Sequence, residues 1–122
     1  MAFFDELEIR TKEKRASDLA AALPLQLIHA RDHTKTYREI LSEFDLSKVT
    51  SLASLSSLPI TRKSSISQAQ KSAPPFGGYT VGTSSNFEHI FQSPGPIYEP
   101  GQTSNDWWRL GRFIHALGIG NN

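Results

Sequence analysis

The residues whose types and spacing could do chemistry lie near the C-terminal end, in the run Ser93-Pro94-Gly95-Pro96-Ile97-Tyr98-Glu99-Pro100-Gly101. A short apolar stretch, Phe87 to Phe91, precedes it and reads as a strand, and a helix opening at Ser104 follows it. A glycine-bearing loop between a strand and a helix can hold phosphate, because backbone amides and the positive end of the helix dipole converge there. The run contains no lysine, arginine or threonine, and its one charge is Glu99. The same residues also read as a stiff surface turn, since two Pro-Gly dipeptides fix a backbone without any ligand.

Other candidate groups are fewer. His29 and His33 stand four apart with Asp32 between them and share one helix face, a spacing that could begin a metal site. No third ligand is evident nearby, so an exposed pair near a helix end is the favoured reading. His89 and His115 are lone residues of a strand and a helix, best read as structural. Trp107-Trp108 invites base stacking, but adjacent helical residues point about 100° apart. One indole facing the core and the other an interface is the better reading. With no cysteine, no Gly-x-Ser-x-Gly elbow and no paired carboxylates at a plausible site, the chain offers no catalytic group of its own.

Composition narrows the class. At 122 residues the chain is at most one domain with a modest core. Its first fifty residues carry eight Lys/Arg against nine Asp/Glu, the remainder five against three, so neither half has the basic footprint of a nucleic-acid binder. The absence of cysteine removes disulfide and thiolate–metal readings and fits a reducing compartment. The N-terminus is acidic where a signal peptide is basic, and no run is long enough to span a membrane, so a cytoplasmic location without membrane partners is expected.

These groups must be positioned by a small set of elements. Residues 12–33 read as a helix, with Leu19, Leu23, Leu27 and Ala30 at helical spacing and a kink or break expected at Pro24. A second helix begins near Thr34, carries Tyr37, Ile40, Leu41 and Phe44 on one face, and ends at Asp45. Ser51 caps a short piece bearing Leu52, Leu55 and Leu58, and Thr61 caps another, Arg62 to about Gln70, with Ile66 inward. Character changes at Ala73, where Pro74-Pro75-Phe76-Gly77-Gly78 joins a rigid turn to a flexible one. Residues 81–85 read as loop, and Phe87 to Phe91 alternates as a strand with one buried face. A last helix, 105–117, aligns Trp107, Leu110, Ile114 and Leu117, with Gly118 as its C-terminal cap.

This order of elements resembles the N-terminal portion of phenylacetate–CoA ligases and their relatives among the AMP-forming acyl-CoA synthetases, the adenylate-forming superfamily. Their Leu-Pro-x-Thr-x-Lys segment is matched by Leu58, Pro59, Thr61 and Lys63, and their Pro-Phe-Gly by Pro75, Phe76 and Gly77. Their Ser/Thr/Gly-rich phosphate loop falls on Ser93 to Gly101, where Ser93, Gly95 and Pro100 match position for position. Pro94 and Pro96 replace hydroxyl residues, and Glu99 stands where a lysine belongs. At about 5 Å and an effective dielectric of about 20, that change turns roughly 3 kcal/mol of attraction to a phosphate charge into repulsion.

The resemblance implies an α+β chain: a helical N-terminal lobe over 1–72, then the opening strand–loop–helix of an adenylation domain over 73–122, truncated. It implies ATP, Mg2+ and coenzyme A for the full-length enzyme and none for this portion alone. It also implies an aryl or acyl carboxylate substrate, and the rest of the adenylation domain as partner. The adenine pocket, the acidic metal-contacting residue and the catalytic lysine would lie beyond residue 122. A different class remains beside it: a non-catalytic helical module that docks or forms a homodimer. The expected core of the lobe is Leu19, Leu23, Leu27, Tyr37, Ile40, Leu41, Phe44, Leu52, Leu55 and Ile66, and the last helix is expected to leave an apolar stripe open.

Overall fold

A computed structural model describes residues 3–104 and 106–120. Helix α1, Lys12–His33, is opened by the Thr11 hydroxyl, which accepts from the Lys14 amide at 3.1 Å. It runs unbroken through Pro24, where the sequence predicts a kink or break. Proline costs one backbone bond there, and the alanines at 20–22 and leucines at 23, 25 and 27 favour helix on both sides. Thr34 then turns the chain: its amide and hydroxyl both donate to the Ala30 carbonyl, at 3.0 and 2.9 Å, while its oxygen accepts from the Tyr37 amide. That one residue closes α1 and opens α2, Lys35–Ile40.

Helix α2 is shorter than its apolar face suggests and gives way to turns and a 3-10 segment at Leu46–Lys48. Ser51 caps α3, Leu52–Leu55, with Ser54 answering in a reciprocal capping box. Helix α4, Lys63–Ser72, starts after Arg62 without a side-chain cap, so the expected Thr61 cap is not used. A second 3-10 turn, Ser84–Asn86, occupies part of the segment that reads as loop.

The largest departure from the sequence reading follows. Strand β1 is His89–Ser93, and the chain then turns over Pro94-Gly95-Pro96 into a second strand, β2, Ile97–Gly101. The strands pair antiparallel, Ser93 opposite Ile97 and His89 opposite Gly101. The run read as a strand-to-helix loop is therefore a hairpin tip and its returning strand. Gly95, at φ +104°, supplies the turn conformation that a side chain resists. Nor is one face of β1 buried, since Ile90 and Phe91 are both about half exposed (46% and 48%).

The last helix is also reduced. Helix α5 spans Gly111–Ala116 only. Asp106 and Arg109 adopt left-handed backbone angles, φ +51° and +57°, which a helix over 105–117 cannot contain. Asn105, at the expected helix start, lies outside the described residues.

The buried apolar core among the described residues is Leu41, Leu46, Val49, Phe76 and Ile97: the end of α2, two positions of the first 3-10 turn and its cap, the proline-glycine turn and β2. Of the ten expected core positions only Leu41 is fully buried; Leu19 and Leu52 are exposed and the other seven are half-buried. Helix α1 packs against α2 and the first 3-10 turn, and α4 packs against β2; the proline-glycine turn lies between these groups. There Thr36 donates from its amide to the Gly78 carbonyl (3.0 Å) and from its hydroxyl to the Gly77 carbonyl (2.7 Å). Gly77, at φ +66°, lies so close to α4 that a Cβ would stand 2.9 Å from the Ala69 and Gln70 backbone.

A two-stranded hairpin is marginal in isolation. This one is tied to α4 by Gln70, whose side-chain amide donates to the Tyr98 carbonyl and accepts from the Tyr98 amide, both at 2.8 Å. Gln70 is itself buried. Gln70→Leu leaves both backbone groups of Tyr98 without their partner. The expected cost is about 1–3 kcal/mol, read as a lower urea midpoint with an unchanged slope; an unchanged midpoint would show that the tether is dispensable.

Candidate functional site

The predicted site residues lie on the hairpin. Ser93 ends β1, its hydroxyl making only a long 3.5 Å bond to the Ile97 carbonyl. Gly95 sits at the tip, with nothing within 4 Å of the side where a Cβ would be. Pro100 lies in β2, half-buried, and its carbonyl accepts from the Trp107 indole at 3.2 Å. The structure thus puts Ser93 and Gly95 near one end of the hairpin and Pro100 toward the other, one residue from its close. Glu99 is exposed and opposite Phe91.

What this arrangement can do with an anion follows from counting donors. A backbone cradle for phosphate uses several successive N–H groups. At the tip, Pro94 and Pro96 have none, which leaves Gly95 alone between them. No cation stands in Ser93–Gly101. The next helix start offers no opening either, because the Asp106 carboxylate already accepts from the Gly111 amide at 2.7 Å.

Beside the hairpin lies an apolar surface. The Phe91 ring meets Trp108 edge-on at 5.7 Å, and a Cβ on Gly101 would touch that ring at 2.8 Å. Trp107, Leu110, Ile114 and Leu117 are exposed, as expected of the C-terminal stripe, and so are Trp108 and Phe113; neither indole faces the core, contrary to the expectation that one would. They belong to a turn followed by a short helix, not to one long helix face.

The N-terminal segment braces this region, a role the sequence reading missed. Asp5 takes both its oxygens to one guanidinium nitrogen of Arg112, at 3.0 and 2.9 Å, and the Phe4 ring lies 5.6 Å from His115. Arg10 pairs with Asp18 of α1 at 2.6 Å, and Lys14 holds the other oxygen of that carboxylate. Residues 4–10 therefore bridge α1 to α5. No short-range pattern signals a contact spanning 107 positions. The tertiary roles of Gln70 and Thr36 escaped notice for the same reason, their partners lying 28 and 41 positions away.

Under β2 is a cavity of about 200 Å3, lined by Tyr37, Ile66, Gln70, Phe76, Tyr79 and Ile97 among others. Tyr37 and Tyr79 meet edge-on at 5.5 Å, and burial, with Tyr37 adding to it, raises the Tyr79 phenol above its usual range. A larger apolar groove, about 500 Å3, runs between α1, α2 and α3 past Leu27, Tyr37, Leu41, Leu55 and Ile60. Among the described residues no group of three or more metal-ligating side chains occurs, and no helix is long and apolar enough to cross a membrane.

With this geometry the chain is similar to a segment of an adenylate-forming acyl-CoA ligase. It matches the crystal structure of 2-hydroxyisobutyryl-CoA ligase, in the postadenylation state in complex with 2-HIB-AMP, at 25% identity and a TM-score of 0.65. The match covers 71% of this chain and 19% of that one, so the chain spans about a fifth of the ligase's length. No protein-family model and no curated protein matches it. The likeness is to acyl-CoA ligases of the adenylate-forming kind and singles out no phenylacetate-specific member.

The brace carries a pH signature. Hydrogen bonding to Arg112, more than its charge, holds the Asp5 carboxyl below the usual aspartate range. A folded-state value below the unfolded one stabilises above the unfolded value and is lost as pH falls through the folded one. Asp5→Asn should therefore melt below the wild type at neutral pH, with the gap closing in acid. Thermal melts of both proteins across that range test this, and a gap independent of pH counts against the brace.

Proposed function

We propose that the chain is the N-terminal portion of an ATP-dependent, AMP-forming carboxylate–CoA ligase, phenylacetate–CoA ligase-like. The observation that carries the reading is the likeness to a ligase solved with an acyl-adenylate, at 25% identity over most of this chain. The Leu58-Pro59-x-Thr61-x-Lys63 and Pro75-Phe76-Gly77 matches support it independently. In the whole enzyme a carboxylate oxygen attacks the α-phosphorus of Mg-ATP, giving acyl-adenylate and pyrophosphate. The thiol of coenzyme A then displaces AMP to form the thioester. Residues 1–72 serve as a helical lobe and 73–122 as the start of the adenylation domain, in a cytoplasmic enzyme acting on an aryl or acyl carboxylate. The rest of that domain is the partner of the apolar surface around Trp107 and Trp108. That exposed surface also supports the second reading, a docking or homodimer module, in which it pairs with another copy.

Ser93, Gly95 and Pro100 are remnants of a phosphate loop. With Glu99 in place of the lysine and prolines at 94 and 96, this portion alone turns nothing over. Calorimetry of the chain with Mg-ATP should show no micromolar binding, which would correspond to about −8 kcal/mol; such binding would make Ser93–Gly101 a working nucleotide site. Reading the gene downstream of Asn122 tests the parent enzyme. An open frame with adenine-pocket and catalytic-lysine segments is expected, and an immediate stop favours the interaction module.

A further inference from the structure

We infer that His29 and His33, at the C-terminal end of α1, form a two-histidine chelate for a borderline divalent metal of the zinc type. Four residues apart on one helix, their rings lie 4.4 Å apart between centroids and 27° from parallel. Both residues are exposed, so a hydrated ion reaches them and water completes its shell. Side chains four apart on a helix are neighbours, within the span that two metal–nitrogen bonds of about 2.0–2.1 Å each must bridge.

The hydrogen bonding of His33 is the second observation. Its Nδ1 lies 3.0 Å from the His29 carbonyl oxygen. A carbonyl only accepts, so Nδ1 carries the proton and the neutral ring keeps its lone pair on Nε2, facing away from the backbone. A donated Nδ1–H of this kind is how proteins fix the tautomer and orientation of a metal-binding histidine.

The surrounding field permits a cation. His33 is the last residue of a 22-residue helix, where the helix dipole favours positive charge. The Arg31 guanidinium is engaged by the Asp32 carboxylate at 2.8 Å, and Arg38 donates to the Asp32 carbonyl at 2.8 Å. Because only two protein ligands are present, the site is an exchangeable one and not a structural centre. The chain has no cysteine to compete for the ion. The inference is independent of the ligase reading, since these residues are remote in sequence from the hairpin.

The test is a Zn2+ titration of the whole chain, followed by calorimetry and by the ring resonances of its four histidines. Mg2+ serves as the hard-ion control, and His29→Ala, His33→Ala and His89→Ala as variants. One-to-one binding is expected, with shifts at His29 and His33, at least ten-fold weaker in either of the first two variants and unchanged in His89→Ala. Circular dichroism should show α1 intact in each, both side chains being exposed. Binding in His33→Ala equal to wild type, shifts only at His89 or His115, equal response to Mg2+, or no saturation by millimolar Zn2+ would each overturn the proposal.

Discussion

The fold depends on one buried side-chain amide. Gln70 offers Tyr98 the donor and acceptor that a third strand would offer. Without it the hairpin would present β2 to α4 with its backbone polar groups unmet, and burial of Ile97 alone would have to hold the two together. The proline-glycine turn makes the arrangement tight. Gly77 lets the chain pass against the α4 backbone, and Thr36 fixes that turn to α2. Three segments distant in sequence thus meet around one polar contact, with Phe76 and Ile97 sealing it from water.

Local signals in the sequence are reliable here where a single residue decides. Thr34 and Ser51 cap helices because a short hydroxyl side chain reaches the amide three residues on. Thr61 and Ser104 have the same chemistry and cap nothing, since the helices that follow begin further along, at Lys63 and Gly111. The hairpin was illegible because its returning strand is written in turn residues. Pro94, Pro96 and Pro100 outweigh the strand preference of Ile97 and Tyr98 in any local reading, although an edge strand accommodates proline. The candidate site inherited that misreading. The spacing of Ser93, Gly95 and Pro100 along an expected loop became a spacing along two paired strands and their turn. Gln70 and Asp5 carry no pattern at all, because their partners are 28 and 107 positions away.

The distribution of exposed apolar side chains separates two halves of the molecule. In the lobe, Leu25, Leu52 and Ile60 stand apart from one another in the sequence, as isolated surface residues do. Around the hairpin and α5 they are consecutive or nearly so, from Trp107 to Leu117, and the N-terminal Phe3, Phe4, Leu7 and Ile9 add to them. The chain commits its charged pairs, Asp5–Arg112 and Arg10–Asp18, to bracing this side while leaving its aromatic rings uncovered.

The Asp5–Arg112 pair also has a meaning in time. Synthesis adds about 5–20 residues each second. Gln70 therefore precedes its partner Tyr98 by a few seconds, whereas Asp5 leaves the ribosome ahead of Arg112 by roughly 5–20 seconds, their separation being 107 residues. Helices α1 and α2 have their partners within that interval, and Arg10 has Asp18, so it is the Asp5 end of the N-terminal segment that waits for its partner. The brace can close only once Arg112 has emerged, later in translation than Gln70 and Tyr98 become available to each other.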